Sequence, residues 1–222
     1  MRNLLIWGAG GHAAVVADIA RLAGWTVVGF IDDHAGGAAP VMGRGVSVYD
    51  RAGAEALVRG GARHAAVAIG DPRVRLGKAS LLEAWGCTFP VLVHPQAVVA
   101  DTAIVEAGTI VCPGAIVAPL ARIGRFCIIN TLASVDHECD LGEVVHLCPG
   151  VHLAGRTVVG RGTWIGVGAC VRDRVRLGER CFLGVGAALV TDLSDASLAF
   201  GVPAKVRGVS PFALNGRGDQ VA

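Results

Sequence analysis

Hydrophobic residues recur at every sixth position over the second half of the chain. From Val93 to Leu189, all seventeen positions reached in steps of six hold Val, Ile or Leu. A small residue (Ala, Thr, Cys or Val) follows four positions after each of the first sixteen. A period of six fits neither the 3.6-residue turn of an α-helix nor the two-residue alternation of a hairpin meander. The repeat predicts a left-handed parallel β-helix, with residues 93–194 forming between five and six coils of about 18 residues.

Each hexapeptide is expected to send one bulky and one small side chain inward. Cys127, Cys139 and Cys181 occupy the small inward position, so we predict that they are core residues. The seven cysteines of the chain contain no CxxC pair. This favours a reducing compartment over a disulfide framework or a zinc site, and no metal is predicted.

The first third of the chain combines short apolar strands with a helical pattern. Residues 4–7 read as a strand, a helix follows to about Leu22, and further strands are expected at Thr26–Ile31 and Ala65–Ile69. This βαβ order predicts a small parallel sheet, a Rossmann-like half-domain. We therefore expect a nucleotide-binding domain over residues 1–90, the β-helix over 91–208 and a flexible tail over 209–222.

A glycine-rich turn links the first strand to the first helix. Gly8, Gly10 and Gly11 would let the backbone approach a ligand, and the free N–H groups of the helix N-terminus favour phosphate. A strand–helix turn without a ligand is the simpler alternative. About 90 residues precede the repeat, which is short for a full dinucleotide fold and favours a single nucleotide, such as a nucleotide sugar, over NAD.

Acidic residues and a second glycine follow the later strands of this domain. Asp32 and Asp33 come directly after the second strand, where a carboxylate suits a ribose or base hydrogen bond, although plain turn residues are the alternative. Gly70 and Asp71 follow the third strand and are assigned to the same substrate pocket.

Charge and the length of apolar runs exclude nucleic-acid binding and a membrane span. The net charge is +2 and no run of Lys or Arg indicates a nucleic-acid surface. No apolar run reaches the length of a membrane span, and glycines interrupt the apolar start of the chain where a signal peptide would continue. These features predict a cytoplasmic protein that handles small anions.

One dense polar cluster interrupts the repeat. Asp136, His137 and Glu138 precede His146, and Gly155 lies 18 residues after His137, one coil further on. His137 is expected to point outward beside a position that has no Cβ. Acyl transfer from a thioester needs a base and an N–H group that stabilises the oxyanion. His137 and Gly155 fit these roles.

The sequence leaves two features of this cluster undecided: which acid orients His137, and how His146 could belong to the same site. Either Asp136 or Glu138 could orient the imidazole, provided that it lies at a corner where strand alternation breaks. His146 is half a coil from His137, so a site that contains both requires two subunits.

Several motifs together resemble the NeuD/PglD-type sugar O-/N-acyltransferases. They are GAGGHAAVVADI, GFIDD, AIGDPRVR, the hexapeptide repeat, NTLASVDHECDLGEVVHLCPGVHLAG and the closing GVPAK, and they cover residues 3–208. The resemblance implies homotrimers, acetyl-CoA bound between adjacent β-helices, and a nucleotide-linked amino sugar held by the N-terminal domain.

The resemblance also implies residue roles. His137 matches the general base and Glu138 its acidic neighbour, whereas His146, Gly155 and Lys205 match positions near acetyl-CoA. The positions that match the nucleotide-sugar pocket are Gly8, Gly10, Gly11, His12, Asp32 and Asp33. The sequence departs from the family pattern at three positions: Asp71 stands where Asn is frequent, Glu138 where Asp is frequent and Leu132 where Gly is frequent.

The expected reaction is N-acetylation of a UDP-, GDP- or dTDP-linked 4-amino-deoxy sugar. O-acetylation of sialic acid or another sugar is the alternative within the family. A nucleotide-binding scaffold without catalysis and an NAD-dependent enzyme are alternatives from other classes. The cluster around His137 argues against the scaffold, and no hydride-transfer residues support the NAD-dependent enzyme.

Overall fold

The computed structural model describes residues 2–33 and 45–213. A parallel sheet with three helices is followed by a β-helix, which confirms the predicted fold class. The N-terminal elements are β1 Asn3–Trp7, α1 Gly11–Leu22, β2 Thr26–Ile31, β3 Val48–Tyr49, α2 Arg51–Arg59, β4 Ala65–Val67 and α3 Pro72–Ala84.

The N-terminal sheet has the strand order β3-β2-β1-β4, with every neighbouring pair parallel. The strands predicted from the apolar runs are present, although the one at Ala65 already ends at Val67. Helix α1 buries Ala13, Val16, Ala17 and Ala20, whose spacing forms one apolar stripe against the sheet. Strand β3 and helices α2 and α3 were not predicted from the pattern.

The β-helix consists of strands of mostly two residues that form three parallel faces. Each strand from β5 to β18 pairs with the strand one coil later, so that Ser134 lies beside His152, whereas β23 pairs antiparallel with β22. These strands are β5 Leu92–Val93, β6 Val98–Val99, β7 Ile104–Val105, β8 Ile110–Val111, β9 Ile116–Val117, β10 Arg122–Ile123, β11 Ile128–Ile129, β12 Ser134–Val135, β13 Asp140–Leu141, β14 His146–Leu147, β15 His152–Leu153, β16 Val158–Val159, β17 Trp164–Ile165, β18 Cys170–Val171, β19 Arg176–Leu177, β20 Phe182–Leu183, β21 Ala188–Leu189, β22 Ser197–Phe200 and β23 Lys205–Val209.

The side chains predicted to face inward form the core of this β-helix. Val117, Val135 and Leu153 are buried along one face, and the three cysteines of the small inward position are buried with them. Burial raises the pKa of the Cys127 thiol to about 12. Cys127 is therefore an uncharged core residue at neutral pH.

The corners of the coils follow the same period as the strands. Every sixth residue from Gly108 to Gly186 has a positive φ, and eight of these residues are not glycine. Glu138 (φ 58°) and Arg156 (φ 62°) occupy such corners, one coil apart. The left-handed conformation breaks strand alternation, so a corner side chain can turn back toward its neighbour.

Arg75 joins the N-terminal sheet to the β-helix. Its guanidinium is buried and donates to the carbonyls of Ile69 (2.8 Å), Gly70 (2.7 Å), Phe126 (2.8 Å) and Val144 (2.7 Å). Burial lowers the pKa of Arg75 to about 10, so the side chain stays charged at neutral pH. One cation therefore satisfies backbone oxygens from both parts of the chain.

The first residues of the predicted tail pack against the rest of the chain. Val209 ends β23, Ser210 and Phe212 are buried, and the Phe212 ring stacks 5.4 Å from Trp164. Arg73 holds this segment to α3 through the Pro211 carbonyl at 3.1 Å. Apolar burial of Phe212 and this hydrogen bond fix residues 209–213, whereas 214–222 lie outside the described residues.

None of the helices within residues 2–33 and 45–213 is both long enough and apolar enough to cross a lipid bilayer. In the same ranges, no three His, Cys, Asp or Glu side chains are grouped as ligands for a metal ion.

Candidate active site

The β-helix brings His137 and Gly155 together as the repeat predicts. A Cβ built on Gly155 would lie 2.5 Å from Nε2 and 2.7 Å from Cε1 of His137. The imidazole therefore occupies space that only glycine leaves open. The Gly155 N–H donates no hydrogen bond within the described part of the chain. The buried backbone of Gly155 thus lies directly beside the imidazole of His137, whose side chain is 51% exposed.

Glu138 is the acid that contacts the imidazole. Its Oε2 lies 3.0 Å from His137 Nδ1, whereas the Asp136 carboxylate accepts the backbone N–H of His137 at 2.6 Å. Because an ionised carboxylate only accepts hydrogen bonds, this contact places the proton on Nδ1 and leaves the Nε2 lone pair free. The left-handed backbone of Glu138 is the break in alternation that such a contact requires.

Arg156 is a third member of this cluster that the sequence interpretation missed. Its Nε donates to Glu138 Oε2 at 2.9 Å. Hydrogen bonds from His137 and then from Arg156 lower the pKa of the Glu138 carboxyl, despite a small opposing effect of desolvation. The signal that could have found Arg156 is its spacing of 18 residues from Glu138, the same spacing that identified Gly155.

The glycine turn before α1 leaves the helix N-terminus open. Gly8 (φ 116°) passes so close to the Ala68 carbonyl that a Cβ would lie 2.9 Å from its oxygen. Among the described residues, no atom lies within 4 Å of a Cβ built on Gly10 or Gly11, and no side chain caps α1. The first N–H groups of α1 therefore lack a side-chain acceptor in this part of the chain, as an anion site requires.

The two acids after β2 differ in their surroundings. Asp33 forms an ion pair with Lys78 (2.7 Å), whose ammonium also lies 5.0 Å from the centre of the Trp7 ring. Asp32 is half-buried, and its N–H donates to the Tyr49 carbonyl at 3.0 Å. The structure thus gives Asp33 a role in fixing α3 against the sheet.

Asp71 caps α3. Its Oδ1 accepts the N–H groups of Arg73 (2.8 Å) and Val74 (3.3 Å), and Pro72 occupies the first turn of the helix. Asn and Asp are equivalent as N-caps, which accounts for Asp71 at a position where Asn is frequent. The neighbouring Gly70 presents its carbonyl to Arg75 and His146.

His146 lies at the junction between the N-terminal sheet and the β-helix. It is buried, its ring stacks on Trp164 at 5.4 Å, and Nδ1 donates to the Gly70 carbonyl at 3.2 Å. Burial, with a smaller effect of the Arg75 charge, lowers the pKa of His146 to about 3. His146 is therefore neutral at physiological pH and acts as a hydrogen-bonding group rather than a cation.

His12, on the first turn of α1, belongs to the same junction. Its ring lies 6.4 Å from that of His146, and its Nε2 is buried without a hydrogen-bond partner within residues 2–33 and 45–213. Burial, with a smaller effect of the Arg75 charge, lowers the pKa of His12 to about 4. A buried polar atom without a partner favours a ligand group at this point.

The remaining predicted residues lie apart from this junction. His137 follows β12, in the face formed by β6, β9, β12, β15, β18 and β21, whereas His146 belongs to β14 in another face. The structure therefore does not bring these two histidines together within one chain. Lys205 is exposed at the start of β23.

Comparison with known proteins gives matches over both parts of the chain. The PglD N-terminal domain family matches residues 3–80. GDP-perosamine N-acetyltransferase from Escherichia coli O157:H7 is 28% identical over 109 residues, which cover 49% of this chain and 49% of that protein. In these matches the chain spans about half or less of the length of its curated relatives.

Solved structures match almost the whole chain. A variant of perosamine N-acetyltransferase from Caulobacter crescentus, in complex with CoA and GDP-perosamine, is 37% identical with a TM-score of 0.89, covering 94% of this chain and 98% of that one. The acetyltransferase domain of PglB from Neisseria gonorrhoeae FA1090, in complex with acetyl coenzyme A, is 35% identical with a TM-score of 0.84, covering 93% and 99%.

Proposed function

The chain belongs to the NeuD/PglD-type sugar acyltransferases, and we propose that it transfers the acetyl group of acetyl-CoA to the amino nitrogen of a nucleotide-linked 4-amino-deoxy sugar. The observation that carries the proposal is the imidazole of His137, which lies against Gly155 with Nδ1 bound to Glu138. This arrangement supplies a base beside a buried glycine whose N–H donates no hydrogen bond among the described residues.

His137 acts as the general base in this proposal. Its Nε2 accepts the proton that the sugar amine loses as the nitrogen attacks the thioester carbonyl carbon. The same nitrogen then returns the proton to the sulfur of coenzyme A as the carbon–sulfur bond breaks. Glu138 holds the imidazole in the required tautomer and stabilises the imidazolium that forms between these steps.

Gly155 stabilises the oxyanion in this proposal. The carbonyl oxygen of the thioester gains negative charge as the amine attacks, and a preorganised backbone N–H is the group that stabilises such a charge. Gly155 lies within contact distance of the imidazole, so a thioester bound next to this pair can approach both groups.

The N-terminal sheet binds the nucleotide sugar in this proposal. The open N-terminus of α1, with Gly8, Gly10 and Gly11, suits the diphosphate. His12 offers to the substrate an Nε2 that has no hydrogen-bond partner among the described residues. Asp32 and Asp33, which follow β2 directly, are the acids that we assign to the ribose or base, with Asp33 also bound to Lys78.

Gly70 and Asp71 form the wall of this pocket next to His12 and His146, with Asp71 acting through the first turn of α3. The named relatives favour a GDP-linked amino sugar over a UDP- or dTDP-linked one, and they favour N-acetylation over the alternative of sugar O-acetylation. GDP-perosamine or a close analogue is therefore the first substrate to test.

Acetyl-CoA is proposed to bind between subunits of a homotrimer in the cytoplasm. Its site would include Gly155 and Lys205, with His146 supplied by a neighbouring subunit because His146 and His137 lie on different faces of one chain. Exposed apolar side chains on the β-helix, among them Val98, Leu120 and Leu132, support burial against other subunits.

The function can be tested with a panel of purified substrates. UDP-, GDP- and dTDP-linked amino sugars, and free sialic acid, would each be incubated with acetyl-CoA while thiol release is recorded. We expect release with a nucleotide-linked amino sugar, fastest with the GDP-linked one. Release with sialic acid alone would replace the proposal by O-acetylation, and release with none of these acceptors would contradict it.

A trimer should be the active form. Light scattering of the purified chain should give three times the mass of 22.7 kDa, because the flat faces of a short β-helix close into a ring of three. A stable monomer with full activity would rule out a site shared between subunits.

Asp32→Ala should raise the KM for the sugar nucleotide about tenfold, the loss expected for a hydrogen bond to a charged group worth about 1.4 kcal/mol. The KM for acetyl-CoA should stay nearly unchanged, since the two substrates use different parts of the chain. Asp18→Ala, at an exposed position of α1, is the control and should change neither constant. Equal rises in both KM values for Asp32→Ala would contradict the assignment of the two substrates to different parts of the chain.

A further inference from the structure

Arg156 occupies the corner that follows Glu138 by one coil. Both residues have the left-handed backbone of a corner, with φ values of 62° and 58°. The Arg156 N–H donates to the His137 carbonyl at 2.9 Å, which fixes the backbone of one corner on the other. The guanidinium then turns toward Glu138, where Nε and Nη2 each lie 2.9 Å from Oε2.

We propose that Arg156 is a positioning residue for the reaction: it holds the Glu138 carboxylate in the orientation that binds Nδ1 of His137. The inference rests on the proposed role of His137 as the base. Arg156 contacts neither the imidazole ring nor Nε2 directly in the hydrogen-bond network, so it acts through Glu138.

His137 and Glu138 need a positioning residue because both side chains are exposed. The side chains of His137 and Glu138 are 51% and 39% exposed, so burial does not hold them in place. A free glutamate side chain has several rotamers, and ordering it opposes the contact with His137. The planar guanidinium binds the same oxygen that accepts the Nδ1 proton, and it therefore selects the rotamer that the base requires.

A fixed tautomer is the consequence for His137. With Glu138 in place, the proton stays on Nδ1 and the Nε2 lone pair points away from the carboxylate. Without Arg156, a fraction of the molecules has the Glu138 carboxylate turned away from Nδ1 of His137. In that fraction the imidazole adopts both tautomers and other orientations. Only the fraction with a free, correctly directed Nε2 can accept the proton of the amine.

The neighbouring coil supplies a matched control for Arg156. Arg174 lies at the same corner one coil later, with φ of 61°, and its nearest ionic partner is Asp173 at 3.8 Å. It makes no ion pair with Glu138 within the described ranges of the chain. Replacing Arg174 therefore reproduces the loss of one exposed corner arginine without disturbing the pair that orients His137.

Kinetics test the proposal first. Arg156→Gln should lower kcat about tenfold with both KM values unchanged, because the base is present but is misdirected for most of the time. Arg156→Lys should retain part of the activity, and Arg174→Gln should match the wild type. In a Glu138→Gln background, Arg156→Gln should cause no further loss. A rise in the KM for acetyl-CoA, or a full further loss in that background, would mean that Arg156 binds substrate and would overturn the proposal.

Nitrogen NMR of labelled histidine tests the same proposal without turnover. The His137 ring should show a protonated Nδ1 and an unprotonated Nε2 in the wild type and in Arg174→Gln, and a mixture of tautomers in Arg156→Gln. An unchanged tautomer in Arg156→Gln would overturn the positioning role, even if its kcat were reduced. A wild-type chain that shows the expected tautomer but releases no thiol would instead contradict the proposed function and leave the Arg156 contact established.

Discussion

Replacing His137 with alanine should lower kcat by about 10²–10⁴-fold, the usual contribution of a general base. This corresponds to roughly 3–5 kcal/mol of transition-state stabilisation at about 1.36 kcal/mol per decade. The KM for acetyl-CoA should change little, because the base acts in the transition state and not in substrate binding. Steady-state kinetics with saturating sugar nucleotide measures both constants.

The pH profile adds a second readout to this substitution. A protonated imidazole cannot accept a proton, so the wild-type rate should fall at low pH, and this acidic limb should be absent in His137→Ala. The fold should persist because the side chain is half exposed, with circular dichroism and trimer mass unchanged. His152→Ala is the control, since His152 is exposed on β15 and contacts Ser134 at 2.8 Å. A His137→Ala variant that kept the wild-type kcat and acidic limb would refute the assignment of the base.

Arg75→Met should lower the free energy of unfolding by about 3 kcal/mol or more. The substitution introduces an apolar side chain of similar length and leaves the carbonyls of Ile69, Phe126 and Val144 without their donor, whereas the Gly70 carbonyl keeps His146. An unsatisfied buried acceptor costs about 1–3 kcal/mol, and the apolar gain of methionine offsets part of the sum. Urea denaturation of the variant and the wild type at one protein concentration measures the difference.

Arg59→Met is the matched control for Arg75. Arg59 ends α2 with a largely exposed side chain and pairs only with Glu55 one turn earlier among the described residues. Its replacement should change the free energy of unfolding by less than about 0.5 kcal/mol. Equal and small effects of the two substitutions would show that the buried guanidinium does not hold the N-terminal sheet to the β-helix.

The β-helix and the contact between His137 and Gly155 could be predicted because both follow from one repeated register. Each inward position recurs every six residues, and each side chain stacks on the residue 18 positions later. The same register contains Arg156, which lies 18 residues after Glu138. The choice between Asp136 and Glu138 could not be made from the pattern, since it depends on the left-handed corner at Glu138.

Contacts between the two parts of the chain were outside the reach of the sequence pattern. Arg75 reads as an ordinary helical arginine, yet its acceptors in the β-helix lie 51 and 69 residues away. The burial of His146 against Gly70 likewise spans 76 residues. The pairing of Asp33 with Lys78 and the packing of Phe212 on Trp164 depend on tertiary structure in the same way.

The transfer itself is tested most directly by product stoichiometry. The wild-type chain would be incubated with acetyl-CoA and a GDP-linked 4-amino-deoxy sugar, with thiol release followed by absorbance and the nucleotide product identified by mass spectrometry and NMR. We expect one thiol released for each sugar that carries an acetyl group on its amino nitrogen, and none when the amino sugar is omitted. Thiol release at the same rate without the amino sugar, or an acetyl group on a hydroxyl oxygen, would contradict the proposed transfer.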